Sequence, residues 1–307
     1  MLAFMTLATV TFAQNEKPQL SECLHQATQG DELVQQGNTA LDHAFQAIYD
    51  LAFDKADGNL LQFTAERPHD PLGPAAQAVS ALFSMFEQQR ILQSEFFTSD
   101  ERYKSRRAVM PDEDSLGKFE YALNRAEELA KQSLVENRAN EDALFALTLV
   151  YGLRADYAAL VERRDVAALR FSNQGTGWAR KLLSASPGFY DAYVATGIQK
   201  YLVGLRPAPT RWILRLGGIK GDRDGGMRDL ELAACKGRYL APFASILLAI
   251  AHLRKDERKE ALEILHGLNQ QFPHNPLFAE EIARISQSGT ALPQPSALST
   301  ESQKRKQ

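Results

Sequence analysis

Apolar residues recur three or four apart along nearly the whole chain, and long alternating runs of Val, Ile and Thr are missing. A period of 3.6 places such residues on one stripe of a helix, whereas a half-buried strand needs a period of two. The pattern therefore dictates an all-α fold. At 307 residues the chain is long enough for a sizeable core. Its 44% apolar and 24% charged residues exclude a mostly disordered chain, and a net charge of −3 excludes a polyanion binder that relies on bulk positive charge. The basic groups Arg102, Lys104, Arg106, Arg107, Arg163 and Arg164 are dispersed and add little to a nucleic-acid reading.

The first thirteen residues, Met1 to Ala13, are uncharged, too short to span a bilayer, and end in a small residue. They suit the apolar core and cleavage site of a secretory signal peptide, without the basic segment that normally precedes one. We expect cleavage after Ala13 and a periplasmic or secreted protein; a frayed N-terminal helix of a cytoplasmic protein is the alternative. A polar leader over 14–30 follows, then a single helical-repeat domain over 31–285 and a disordered polar tail over 286–307. Cys23 and Cys235 are the only cysteines, with 211 residues between them and in no CxxC pair, so two reduced, largely buried thiols are expected. The longest apolar run after the N-terminus is read as Ala241 to Leu253, a buried helix interrupted by Pro242 and Ser245.

The stripe Leu33, Gly37, Leu41, Ala44, Phe45, Ile48 and Ala52 predicts a first helix ended by Asp57-Gly58-Asn59. Ala75 to about Phe97 forms a second. Pro111-Asp112-Glu113-Asp114 starts a third, with acids at the positive end of the dipole. Asn137 to Asn140 separates it from an unusually apolar fourth, marked by Ala143, Leu144, Leu147, Val150 and Tyr151, which is expected to be central. A fifth, about Glu162 to Ala185, contains Gly175 and Gly177, each costing about 1 kcal/mol relative to Ala. Close approach of a neighbouring helix explains such a cost, and so does a kink. A ring-rich stripe from Tyr190 to Leu205 ends at Arg206-Pro207-Ala208-Pro209. Further helices are expected from Asp224 or Gly225, and over Pro242 to Arg254, Glu257 to Gln271 and Asn275 to Ile285.

The segment Pro242 to Asn275 is more specific. As one 34-residue unit it puts Leu248 and Ala249 at adjoining large and small positions, Ala261 at the small position of its second helix, Leu265 at a large one and Pro273 at the close. This resembles a tetratricopeptide repeat, a helix pair whose open apolar faces are buried by its neighbours. Ser245, His252 and Leu268 depart from the preferred residues. More narrowly, the string YLVGLRPAPTRWILRLGGIKGDRDGGMRDLELAA from Tyr201, followed by AP, ILLA and FPHNPLF, is similar to the C-terminal half of the Iml2 and tetratricopeptide-repeat-39 family. Pro207, Leu214, Leu216, Gly221-Asp222-Arg223, Gly226, Met227 and Leu230 carry the likeness. The resemblance implies a helical-repeat scaffold and supplies no catalytic residues to carry over, and it covers the last third strongly and Ala143 to Leu205 loosely.

Chemistry is thinly marked. In the glycine-rich run Gly217 to Gly226, Lys220 is followed by Gly221 rather than Ser or Thr and no strand precedes it, so a structural turn is expected, with Asp222 capping the next helix. Arg211, Arg215, Lys220 and Arg223 nevertheless form a candidate anion patch. The histidines His25, His43, His69, His252, His266 and His274 lack metal-binding spacing, and no cofactor is expected. No nucleophile elbow surrounds Ser172, Ser184 or Ser186. Phe171, Trp178, Tyr190, Tyr193 and Tyr201 either fill helix contacts or line a binding face. The expected function is a non-catalytic scaffold for an unknown protein or peptide partner, with Trp178, Tyr190, Tyr193, Tyr201, Trp212, Arg211, Arg215 and Arg223 as its interaction surface. A carrier of lipid or another small hydrophobic ligand, and an enzyme with an unrecognised site, are the alternatives.

Overall fold

The computed structural model describes residues 39–92, 111–204 and 222–288. Among these the fold is all-α, with eleven α-helices: α1 (Ala40–Tyr49), α2 (Phe53–Glu66), α3 (Leu72–Gln88), α4 (Glu113–Glu136), α5 (Glu141–Asp156), α6 (Asp165–Ala185), α7 (Tyr193–Gly204), α8 (Arg223–Lys236), α9 (Ala241–Leu253), α10 (Arg258–Gln271) and α11 (Pro276–Ser288). Each packs against its sequence neighbour, so consecutive helix pairs stack as a helical repeat, and one hydrophobic cluster runs from Leu41 to Ile285.

Local chemistry sets most boundaries. Thr39 and Asp42 form a capping box at the start of α1. The Asp112 side chain accepts from Ser115 N at the start of α4, and Asn140 from Ala143 N at the start of α5. The first helix ends earlier than expected. Leu51 takes φ 57°, its N–H bonds Ile48 O, and Ala52 N–H bonds Ala47 O, the pattern of a left-handed helix end. Asp57-Gly58-Asn59 lies instead inside α2. Burial of Ala56, Leu60 and Phe63 carries the helix through it, and the Asp57 carboxylate accepts from Ser80 Oγ on α3 at 2.9 Å. The second expected helix ends at Gln88 by the same left-handed device, with Arg90 at φ 56°.

The central position expected for the fourth helix is what α5 occupies. Its residues from Ala143 to Val150 are all buried, and it touches α3, α4 and α6. A π-helical turn, Tyr157–Val161, extends it. The stretch Glu141–Val161 is 21 residues long and apolar enough to cross a membrane by length and composition. That corrects the expectation that Ala241–Leu253 is the longest apolar run. The apolarity follows from packing, because its most apolar window is 61% buried within the protein.

Glycines mark the tightest contacts. A Cβ on Gly175 of α6 would stand 3.3 Å from Gly152 N of α5, so close approach accounts for that glycine. Gly177 faces open space. At the α7–α8 contact a Cβ on Gly226 would come within 2.6 Å of Tyr201 N and 2.8 Å of Gly197 O. Over 242–275, Leu248, Ala249, Ala261 and Leu265 are all buried.

The stack also curls back on itself. Phe45 of α1 lies 5.0 Å from Tyr239, Tyr49 lies 5.6 Å from Phe272, and Phe83 of α3 lies 6.0 Å from Phe243 of α9. Arg238 clasps Asp42 with two bonds of 2.9 Å. Cys235 is disulfide-bonded, which corrects the expectation of two reduced thiols; Cys23 lies outside the described residues.

Candidate functional site

The α6–α7–α8 unit carries most of the sequence-selected aromatics. After α6 closes at Ser186-Pro187-Gly188, a 3₁₀ turn over Tyr190–Ala192 leads into α7. This turn stacks the half-buried rings of Tyr190 and Tyr193 at 6.4 Å. Lys236, at the end of α8, places its ammonium 5.3 Å from the Tyr190 ring centre. One helix away, Lys181 stands 3.9 Å over Trp178. Tyr190 and Trp178 thus each meet a cation, an arrangement worth about 0.5–1 kcal/mol where exposed. Tyr201 lies elsewhere: it is buried in the α7–α8 contact beneath Arg223. The structure therefore joins Tyr190 with Tyr193, and Tyr201 with Arg223, in two separate places. Arg211, Trp212, Arg215 and Lys220 lie outside the described residues. As expected, Asp222 caps α8, its carboxylate accepting from Gly225 N at 2.8 Å.

Behind the tyrosine pair sits a carboxylate that periodicity does not reveal. Asp191 is 3% exposed and accepts from the backbone N–H groups of Arg238, Tyr239 and Leu240 at 3.0, 2.8 and 2.6 Å. It satisfies the open donors ahead of α9 and ties the α7 turn to the next pair. Burial pushes its carboxyl up, against the three N–H donors that pull it down. Its only signal in the sequence is an acid flanked by rings.

Asp156 and Glu127 also have altered acidity. Burial raises Asp156, at the junction of α5 and its π turn, to about 7. For Glu127 burial also acts upward, but bonds from Lys131, Tyr151 and Arg154 outweigh it and hold the carboxyl at about 2. Glu127 joins α4 to α5 through Arg154 at 2.6 Å and the Tyr151 hydroxyl at 2.8 Å, so its role is structural.

Open grooves mark the outer surface. One of about 400 Å³ between α8 and the α9–α10 turn is lined by charged groups including Arg228, Glu231, Lys255 and Glu257. Another of about 460 Å³ runs along α6 past Val166, Leu169 and Arg170. Among the described residues no group of three or more His, Cys, Asp and Glu side chains is placed to hold a metal ion. The chain matches no family model, no curated protein and no solved structure.

Proposed function

We propose that this protein is a non-catalytic, exported interaction scaffold that binds a protein segment on the outer face of its α6–α8 unit. The observation that carries the reading is the Tyr190–Tyr193 stack with Lys236 over Tyr190, together with the Trp178–Lys181 pair on α6. Inward-facing positions offer less room, because Phe83, Phe145, Tyr239 and Phe243 already meet across the stack. Rigid rings on a preformed helical frame bind with little side-chain entropy loss, and the neighbouring ammonium groups favour a segment that carries carboxylates. The disulfide at Cys235 supports an oxidising compartment and hence export. Kinship with the tetratricopeptide-repeat-39 family belongs to the same proposal and rests on the Tyr201 to Leu277 residues quoted above.

Selection from a random peptide library, with the folded full chain as bait, tests the reading. Acidic, aromatic-containing peptides should be enriched, and their affinity should fall about tenfold or more in a variant carrying Tyr193→Ala and Lys236→Glu. Absence of enrichment, or equal binding to the variant, would sink the proposed face.

A further inference from the structure

Beneath the α7–α8 contact two polar atoms are buried without any hydrogen-bond partner: the Tyr201 hydroxyl and Arg223 Nε. Tyr201 is only 7% exposed, and the Arg223 guanidinium lies 5.7 Å from its ring centre, so both groups occupy one place. Buried donors in native proteins are almost always paired, and an orphan pair calls for a missing acceptor. Arg Nε can only donate, and a tyrosine hydroxyl donates as readily as it accepts.

The charges around this place narrow the choice of acceptor. Asp222 is already committed to Gly225 N at 2.8 Å and faces Arg228 at 3.7 Å. Asp229 accepts from Thr196 and Lys200, both at 2.6 Å. Among the described residues Arg223 forms no ion pair, although it is half-buried and always charged. A water molecule would satisfy its hydrogen bond but not its charge, and a half-buried cation without a counter-ion is costly. Asp222 holds the first turn of α8, and the free donors are therefore side chains rather than the helix end.

We propose that Tyr201 Oη and Arg223 Nε are the donors of a binding site for a small oxyanion, a phosphate or carboxylate group, at the α7–α8 contact. The site is distinct from the Tyr190–Tyr193 face and does not depend on it. Thermal unfolding and calorimetric titration of the full chain with sodium phosphate and with sodium acetate, each against sodium chloride at matched ionic strength, test it. One of the two oxyanions should raise Tm in a dose-dependent way and titrate to one site per chain. A response to phosphate assigns a tetrahedral group, and a response to acetate assigns a planar one. Arg223→Gln should weaken that binding about tenfold or more, as expected for a charge-assisted bond. Tyr201→Phe should weaken it severalfold without lowering the Tm of the anion-free protein, because the deleted hydroxyl has no partner there. Arg228→Gln should bind like the original chain. An oxyanion response no larger than that to chloride overturns the proposal, as does equal affinity in the original protein and Arg223→Gln. If Arg223→Gln fails to fold, unchanged affinity in Tyr201→Phe overturns it instead.

Discussion

At the scale of single residues, the carboxylates show how one chemical group is put to opposite uses by its surroundings. Asp191 is a buried acceptor for three amides, and Asp191→Ala would leave all three donors unpaired in the core. We expect a loss of about 3 kcal/mol or more in urea unfolding, and Asp191→Asn, which keeps one acceptor oxygen, should lose less. Asp156 works the other way. Its carboxyl is raised to about 7 by burial, so between about pH 4 and pH 7 the folded chain holds a proton that the unfolded chain releases. Stability therefore falls as pH rises through that window. Asp156→Asn should flatten the slope and stabilise the protein at pH 8 by about 1–2 kcal/mol, a figure reduced for the carboxyl's partial exposure. Unfolding midpoints of both proteins at pH 5 and pH 8 check this, and a parallel pH dependence would refute it. Glu127, held at about 2, acts in the lower window: its contribution is complete above about pH 4.5 and lost as pH falls toward 2. None of these roles can be read from spacing, because each depends on burial or on groups that only the folded chain brings together.

At the scale of elements, the sequence reveals which stretches are helical and where polar caps start them, since a 3.6-residue stripe and a capping Asp or Asn are local features. Asp112, Asn140 and Asp222 are visible for that reason. The ends of α1 and α3 are hidden, because Leu51 and Arg90 take the left-handed position that glycine usually marks. The likeliest stop in the sequence, Asp57-Gly58-Asn59, is overridden by burial on either side of it. Glycines inside helices carry a double meaning that only packing separates. Gly226→Ala should cost several kcal/mol, as its methyl would meet the backbone of Tyr201 at 2.6 Å in a contact that cannot yield by side-chain rotation. Gly177→Ala should gain up to about 1 kcal/mol, since its methyl enters open space within a helix. Chemical denaturation of the two variants separates the cases, and equal effects would show that the α7–α8 contact yields to an added methyl group.

At the scale of the whole molecule, stacking of helix pairs follows from the sequence, whereas closure of the stack does not. Its contacts join residues about 190 to 226 positions apart: Tyr49 donates its hydroxyl to Tyr239 O at 3.0 Å, Asn275 donates to Tyr49 O at 2.7 Å, and His274 N–H bonds Asp50 at 3.0 Å. No local pattern specifies such pairings, and each isolated residue reads equally well as a core aromatic or a turn former. Arg238 clasps Asp42 of α1 at the same seam. Closure makes a prediction that a simple row of repeats does not. In a row each unit feels only its neighbours, so damage to α1 stays near α1. Here Tyr49→Ala removes a ring that packs on Phe83 and Phe272, and the expected loss is about 3–5 kcal/mol. Amide exchange should consequently rise in α9, α10 and α11 as much as in α1 and α2, while α4 stays protected. Increased exchange confined to α1 and α2 would show that the ends of the stack fold independently and that the seam couples nothing.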